Sequence, residues 1–155
     1  MREKMSPTED AVSTVEAEVA MLLRLAERSR RSSTRRLHEL DRSAYLVLGV
    51  LTTEGPSSVN TIADALRLDP STVTRQVLAM ERAGYVLRTA DQADRRVTVV
   101  SSTAAGRAAL AQSREIRAGI YREVLAAWTP EERETLAACL HRLNTDLDDW
   151  GRAHT

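Results

Sequence analysis

Apolar positions recur along this chain at helical spacing near both ends and change pattern in between. Val12, Val15, Val19, Leu22 and Ala26 are separated by 3, 4, 3 and 4 residues, the narrow stripe of a helix that buries one edge. Ser6-Pro7-Thr8-Glu9 ahead of them supplies a cap, a first-turn proline and an acid three residues after the cap, a helix start. The helix is expected to run into Arg28-Ser29-Arg30-Arg31-Ser32-Ser33. That basic, serine-rich break reads either as a solvated linker or as a segment contacting phosphate or an effector. Near the other end Ile116, Ile120, Val124 and Trp128 lie four apart on a helix spanning Thr103 to Trp128. Thr129-Pro130-Glu131-Glu132 then starts a last helix, with Leu136, Leu140, Leu143, Leu147 and Trp150 at spacings of 4, 3, 4 and 3.

The middle is built from shorter pieces. Asp41 can cap a helix from Arg42 to about Thr53, with Tyr45, Leu46, Leu48, Val50 and Leu51 inward, and Glu54-Gly55-Pro56 ends it. Ser57 or Ser58 caps a third helix carrying Val59, Ile62, Ala63 and Leu66. Arg67-Leu68 is a turn, and Asp69-Pro70 repeats the cap-plus-proline start. The fourth helix, Ser71 to Ala83, buries Val73, Val77 and either Leu78 or Met80. It leaves Ser71, Thr72, Thr74, Arg75 and Gln76 outward. Gly84 suits the left-handed position past a helix end. Tyr85–Thr89 and Val97–Ser101 are β-rich runs joined by seven residues, an antiparallel ribbon. The expected fold is mostly α with a small β-wing: a winged helix-turn-helix on an α-helical scaffold, whose apolar stripes either the same chain or a partner chain could bury; the resemblance given below makes it a dimerisation scaffold. Residues 41–101 would form the winged part, and residues 6–40 and 102–150 the scaffold, within a single chain of 1–155.

Composition narrows the chemistry. At 155 residues and 43% hydrophobic, the chain is long enough and apolar enough for a globular core. Aromatics are 3%, with no Phe, so base-stacking capture of single strands is disfavoured. Net charge is zero, which by itself argues against nucleic acid, but the charges are segregated. Seven Arg face three acids between Arg24 and Arg42, and six face four between Arg67 and Arg96; six acids face two Arg from Thr129 to Trp150. A local basic surface is enough for DNA. The lone Cys139 permits no intrachain disulfide. No signal-type or 18-residue apolar stretch is present, so a cytoplasmic protein without membrane contact is expected.

Two short helices around a tight turn, the second polar at its outward N-terminal half, suit the DNA major groove. Ser71, Thr72, Thr74 and Gln76 can meet phosphates or base edges, Arg75 can pair bidentately with guanine, and Ser57 sits at the start of the preceding helix. The ribbon tip holds Asp94, Arg95 and Arg96. It reads either as a solvated hairpin tip or as a minor-groove probe, with Asp94 holding Arg96 through an ion pair.

These runs resemble the MarR-type winged-helix regulators. The resemblance is carried by Thr61-Ile62-Ala63-Asp64-Ala65-Leu66, Ser71-Thr72-Val73-Thr74-Arg75 and Glu81-Arg82-Ala83-Gly84-Tyr85-Val86. Its most specific part is Asp91-Gln92-Ala93-Asp94-Arg95-Arg96 with Ser102-Thr103-Ala104-Ala105-Gly106 behind it. It covers about residues 10–150. It implies a homodimer on a pseudo-palindromic double-stranded operator, with Arg75 in the major groove and Arg96, oriented by Asp94, in the minor. The terminal helices would pair the two chains through Val12, Val15, Val19, Leu22, Leu136, Leu140, Leu143, Leu147 and Trp150.

The resemblance also implies a repressor relieved by a small phenolic or anionic effector, bound near His38, Tyr45, Leu48 and perhaps Ile116; Tyr45 reads equally as ordinary core. His38, His141 and His154 are scattered and only Cys139 and His141 are close, so neither a metal site nor a thiol switch is expected. No cofactor is expected. No phosphate loop or nucleophile elbow supports an enzyme. A winged-helix protein–protein module without DNA binding, or an enzyme of unrecognised type, stays as the alternative.

Overall fold

The computed structural model describes residues 7–32 and 40–154. The chain divides into two compact units, residues 1–110 and 111–155. The first holds α1 (Pro7–Ser32), α2 (Arg42–Thr53), β1 (Ser57–Ser58), α3 (Val59–Leu66), α4 (Pro70–Arg82), β2 (Val86–Ala90) and β3 (Thr98–Ser102). Helix α5 (Ala104–Val124) begins in it. The second holds the rest of α5 and α6 (Pro130–Ala153).

Helix α1 does not break at Arg28. It continues through Ser32, because Arg favours helix, Ser costs only a few tenths of a kcal/mol, roughly, and neither Gly nor Pro interrupts. Between Asp10 and Arg28 its side chains are exposed apart from half-buried Val19. Val12 is 67% exposed, and Val15, Leu22, Leu23 and Leu25 are also open to solvent. Ser6, the expected cap, and His38 lie outside the described residues.

The core of the first unit gathers where α2, α3, α4 and the sheet meet. Val47, Leu48, Ile62, Val73, Val77, Val86 and Val100 are fully buried, joined by Ala44, Leu51, Met80 and Leu110. On α2 the inward face differs from the expected one. Val47 and Ala44 are buried, while Leu46 is 40% exposed. Positions 44, 47, 48 and 51 form one helical face, and residue 46 falls opposite it. Tyr45 and Val50 pack at the edge of the core. On α4, Met80 rather than Leu78 is the third buried residue.

The helix ends follow local chemistry. Asp41 accepts the Ala44 N–H at 2.8 Å, and Ser58 accepts that of Thr61 at 3.1 Å, each satisfying a first-turn donor. Helix α3 stops at Arg67, which takes the left-handed conformation at φ 53°, and the Leu68 N–H returns to the Ala63 carbonyl at 3.0 Å. Asp69 departs from expectation: its side chain makes no capping bond, and its backbone carbonyl receives the N–H groups of Thr72 and Val73. Gly84 takes φ 78° between α4 and β2.

The ribbon pairs one residue later than expected, Val86–Ala90 against Thr98–Ser102 in antiparallel register. A third strand was not foreseen. Ser57 and Ser58 pair with Val100 and Val99, giving the order β1-β3-β2. Thr103 ties the base of the wing to α5. Its N–H reaches the Tyr85 carbonyl at 3.0 Å and its hydroxyl the Gly84 carbonyl at 2.7 Å, while the Gly106 N–H donates to that hydroxyl at 2.9 Å.

In the second unit α5 ends at Val124, four residues before the expected end at Trp128. Arg133 accounts for the stop: its guanidinium donates to the carbonyls of Leu125 and Ala126, satisfying acceptors that a longer helix would have used. Helix α6 opens on a capping box of Thr129 and Glu132, as expected. Along α6, Leu136 and Leu143 are half-buried, whereas Leu140, Leu147 and Trp150 are exposed, Trp150 at 63%.

Candidate nucleic-acid interface

Helix α4 turns its apolar stripe of Val73, Val77 and Met80 into the core, so residues roughly opposite on the helix must face out. Ser71, Thr74 and Arg75 are exposed, and Thr72 is half-buried beside them. Arg75 lies along its own helix, its Nη2 at 3.4 Å from the Thr72 hydroxyl. Thr74 donates its hydroxyl to the Pro70 carbonyl at 2.8 Å, leaving that oxygen as an acceptor. Asp69 makes no side-chain cap, its carbonyl takes the N–H groups of Thr72 and Val73, and Pro70 carries no N–H.

Two expected members behave otherwise. Ser57 is only 7% exposed, paired to Val100 in the sheet, with its hydroxyl on the Gly55 carbonyl at 3.0 Å. It is a sheet residue, and its side chain is not offered to a groove. Gln76 is half-buried, and its Oε1 is buried without a hydrogen-bond partner. It lies on the flank of α4 that faces the start of α2, not on the outward face.

The wing tip is organised by two aspartates. Asp91 accepts the N–H groups of Ala93 and Asp94 at 2.8 and 3.0 Å, and Asp94 accepts that of Arg96 at 3.0 Å. The Val97 N–H closes on the Asp94 carbonyl and the Asp91 N–H on the Val97 carbonyl, both at 2.9 Å. Asp94 therefore holds Arg96 by its backbone, where an ion pair with its guanidinium was expected. The donated N–H groups of Asp94 and Ala93 hold the Asp91 carboxyl below its ordinary value. Arg95 and Arg96 are left exposed at the tip. The role of Asp91 was missed in the sequence, although Asp two residues before a turn amide is the signal of such turns.

The residues expected around an effector fall in different parts of the chain. Leu48 is sealed in the core and Tyr45 sits at its edge; Ile116 belongs to the second unit, and His38 is outside the described residues. The first unit does contain a cavity of about 410 Å³ between the start of α2 and the flank of α4. Asp41, Ser43, Thr72, Arg75, Gln76 and Tyr85 line it, over a floor that includes Ala44, Ala79 and Met80. Among the described residues no three His, Cys, Asp or Glu side chains come together to hold a metal ion, and no helix is long and apolar enough to cross a membrane.

Comparison with known proteins adds four findings. The MarR family model matches residues 40–98. The chain is 32% identical over 141 residues to YxaD of Bacillus subtilis (strain 168), an uncharacterized HTH-type transcriptional regulator, covering 91% of this chain and 98% of that one. A MarR family protein from Bacillus stearothermophilus has a similar solved structure, with a TM-score of 0.74 and 25% identity over 93% of this chain and 99% of that one. The organohalide-sensing regulator RdhR-CbdbA1625, in its 2,4-dichlorophenol-bound form, shares the fold at a TM-score of 0.71, with 21% identity over 96% of this chain and 89% of that one.

Proposed function

This chain belongs to the MarR family and is a transcriptional regulator, not an enzyme; from that premise we propose that two copies bind a pseudo-palindromic DNA operator and repress nearby genes. The observation that carries this reading is the pairing of two exposed basic readers on one compact unit: Arg75 with Ser71, Thr72 and Thr74 on α4, and Arg95 and Arg96 on a tip built by Asp91 and Asp94. Helix α4 enters the major groove, Arg75 takes a guanine edge, and Arg96 enters the adjacent minor groove. Residues 41–101 form the DNA-binding part, and residues 6–40 and 102–150 the dimerisation part. The apolar stripes of α1 and α6, Val12, Val15, Val19 and Leu22 with Leu136, Leu140, Leu143, Leu147 and Trp150, pair the chains. The protein works in the cytoplasm.

The α2–α4 cavity supports a ligand-relieved repressor. Arg75 and Thr72 line it, so a small anionic or phenolic molecule seated there competes with DNA for the same side chains. On this reading the effector sits beside α4, away from Tyr45 and Leu48. The test is the DNA immediately upstream of this protein's gene. The purified protein should protect an inverted repeat there with half-sites about one helical turn apart. Absence of any protected repeat, with binding no tighter than to unrelated duplex, counts against the reading.

A further inference from the structure

Helix α4 and the wing meet at a narrow joint. Ala83, Gly84 and Tyr85 connect Arg82 to Val86, with Gly84 at φ 78°. Thr103 holds that joint from below through the Gly84 and Tyr85 carbonyls. Above it, support thins out. Only Val86 of β2 is buried, and Leu87 through Ala90 are exposed. The rest of β2 is held through β3, whose Val100 is buried and whose other edge pairs with β1.

A further attachment joins β2 to α4 directly. Alternation along β2 places Arg88 on the same face as buried Val86. Arg88 Nε donates to Glu81 Oε2 at 2.8 Å, joining the last turn of α4 to the ribbon beyond the joint. Both side chains are 34% exposed. Such a pair contributes little to overall stability, yet it spans the joint between the two readers.

We propose that Glu81 and Arg88 are positioning residues for DNA binding: their ion pair fixes the angle between α4 and the wing, so that Arg75 and Arg96 reach their grooves together. This rests on the reading of Arg96 as the minor-groove contact. The charge of Arg88 is engaged by Glu81 and is not the wing's contact with phosphate.

The test uses full-length protein and duplexes that the wild type selects from a randomised pool, remade with A·T-rich or G·C-rich flanks. E81Q and R88Q are each expected to weaken binding to the A·T-flanked duplex by about three- to tenfold. In an R96A background the same changes should cost almost nothing, because the wing no longer contributes. The exchange E81R/R88E should recover most of the affinity, and urea midpoints should stay close to wild type. If E81Q instead tightens binding, Arg88 is a phosphate contact masked by Glu81, and the proposal is overturned. Additive losses in the R96A background, or an exchange variant no better than the single ones, also overturn it. If R96A itself leaves binding to both duplexes unchanged, the minor-groove reading fails and takes this proposal with it, whatever Glu81 does.

Discussion

Gly106 lies so close to Tyr85 that a Cβ at position 106 would sit 2.1 Å from the Tyr85 carbonyl oxygen and 3.1 Å from Leu48 Cδ2. The first clash is with backbone, which has no rotamer to yield. The same carbonyl receives the Thr103 N–H, so any shift loosens the joint of α4, the wing and α5. Gly106→Ala should therefore destabilise the protein by about 1–3 kcal/mol, the usual range for overpacking. A urea midpoint equal to wild type would show that the approach is looser than described.

Arg75→Ala should cost about 1–3 kcal/mol of operator affinity and relax the preference at one base position. Arg75→Lys should keep part of the affinity but not the preference, because an ammonium lacks the planar fork that pairs with guanine. Selection from randomised duplexes reads both quantities. A variant that enriches the same sequence as wild type removes Arg75 from base reading.

Arg96→Ala should weaken binding most where the flanks are A·T-rich, since narrow minor grooves concentrate negative potential. Titrations on A·T-flanked and G·C-flanked duplexes give the comparison. Equal losses on both would mean that Arg96 acts as a general phosphate contact.

The wing tip should respond to acid. The Asp91 carboxyl is held below its ordinary value of 3.8 by the N–H groups it accepts. A depressed carboxylate contributes its stabilisation fully above the unfolded value, and that contribution is lost as pH falls through the folded one. The tip is thus intact at neutral pH and begins to loosen only below about pH 4. Amide resonances of Ala93 and Asp94 should titrate with a midpoint under 3.8, and Asp91→Ala should show the loosened pattern at pH 7. A midpoint at or above the ordinary value would contradict these hydrogen bonds.

Val15→Asp with Leu22→Asp should convert the protein to single chains and abolish tight operator binding, since charges buried in a helix pairing seam are unpaired. Sedimentation of the variant at micromolar concentration is the check. A double variant that still sediments as two chains would place the interface elsewhere.

Much of this was legible because the relevant signals are local. The caps at Asp41, Ser58 and Thr129, the turn after Leu66 and the outward face of α4 follow from short spacings and single residues. The departures came from interactions that sequence spacing does not encode. Leu46 and Val47 are equally apolar, and only the packing of α3 and α4 against α2 decides which is buried. Ser57 reads as a helix cap until Val100 of β3, 43 residues downstream, pairs with it. Trp128 continues a four-residue stripe, yet the helix stops at Val124, and Arg133 supplies donors to the Leu125 and Ala126 carbonyls just beyond it. Arg88 and Glu81, seven residues apart, match no helical or strand period across the bend between them.

Helix α1 leaves Val12, Val15 and Leu22 exposed; if two chains pair along this face, as proposed, that pairing sets how the regulator responds to its own abundance. An apolar face of this kind is protected only by association, so the amount of paired reader follows mass action. While chains are dilute relative to their pairing constant, paired protein grows as the square of chain concentration. Operator occupancy then rises more steeply than synthesis, and a modest change in expression or degradation is converted into a sharper change in output without any effector being present.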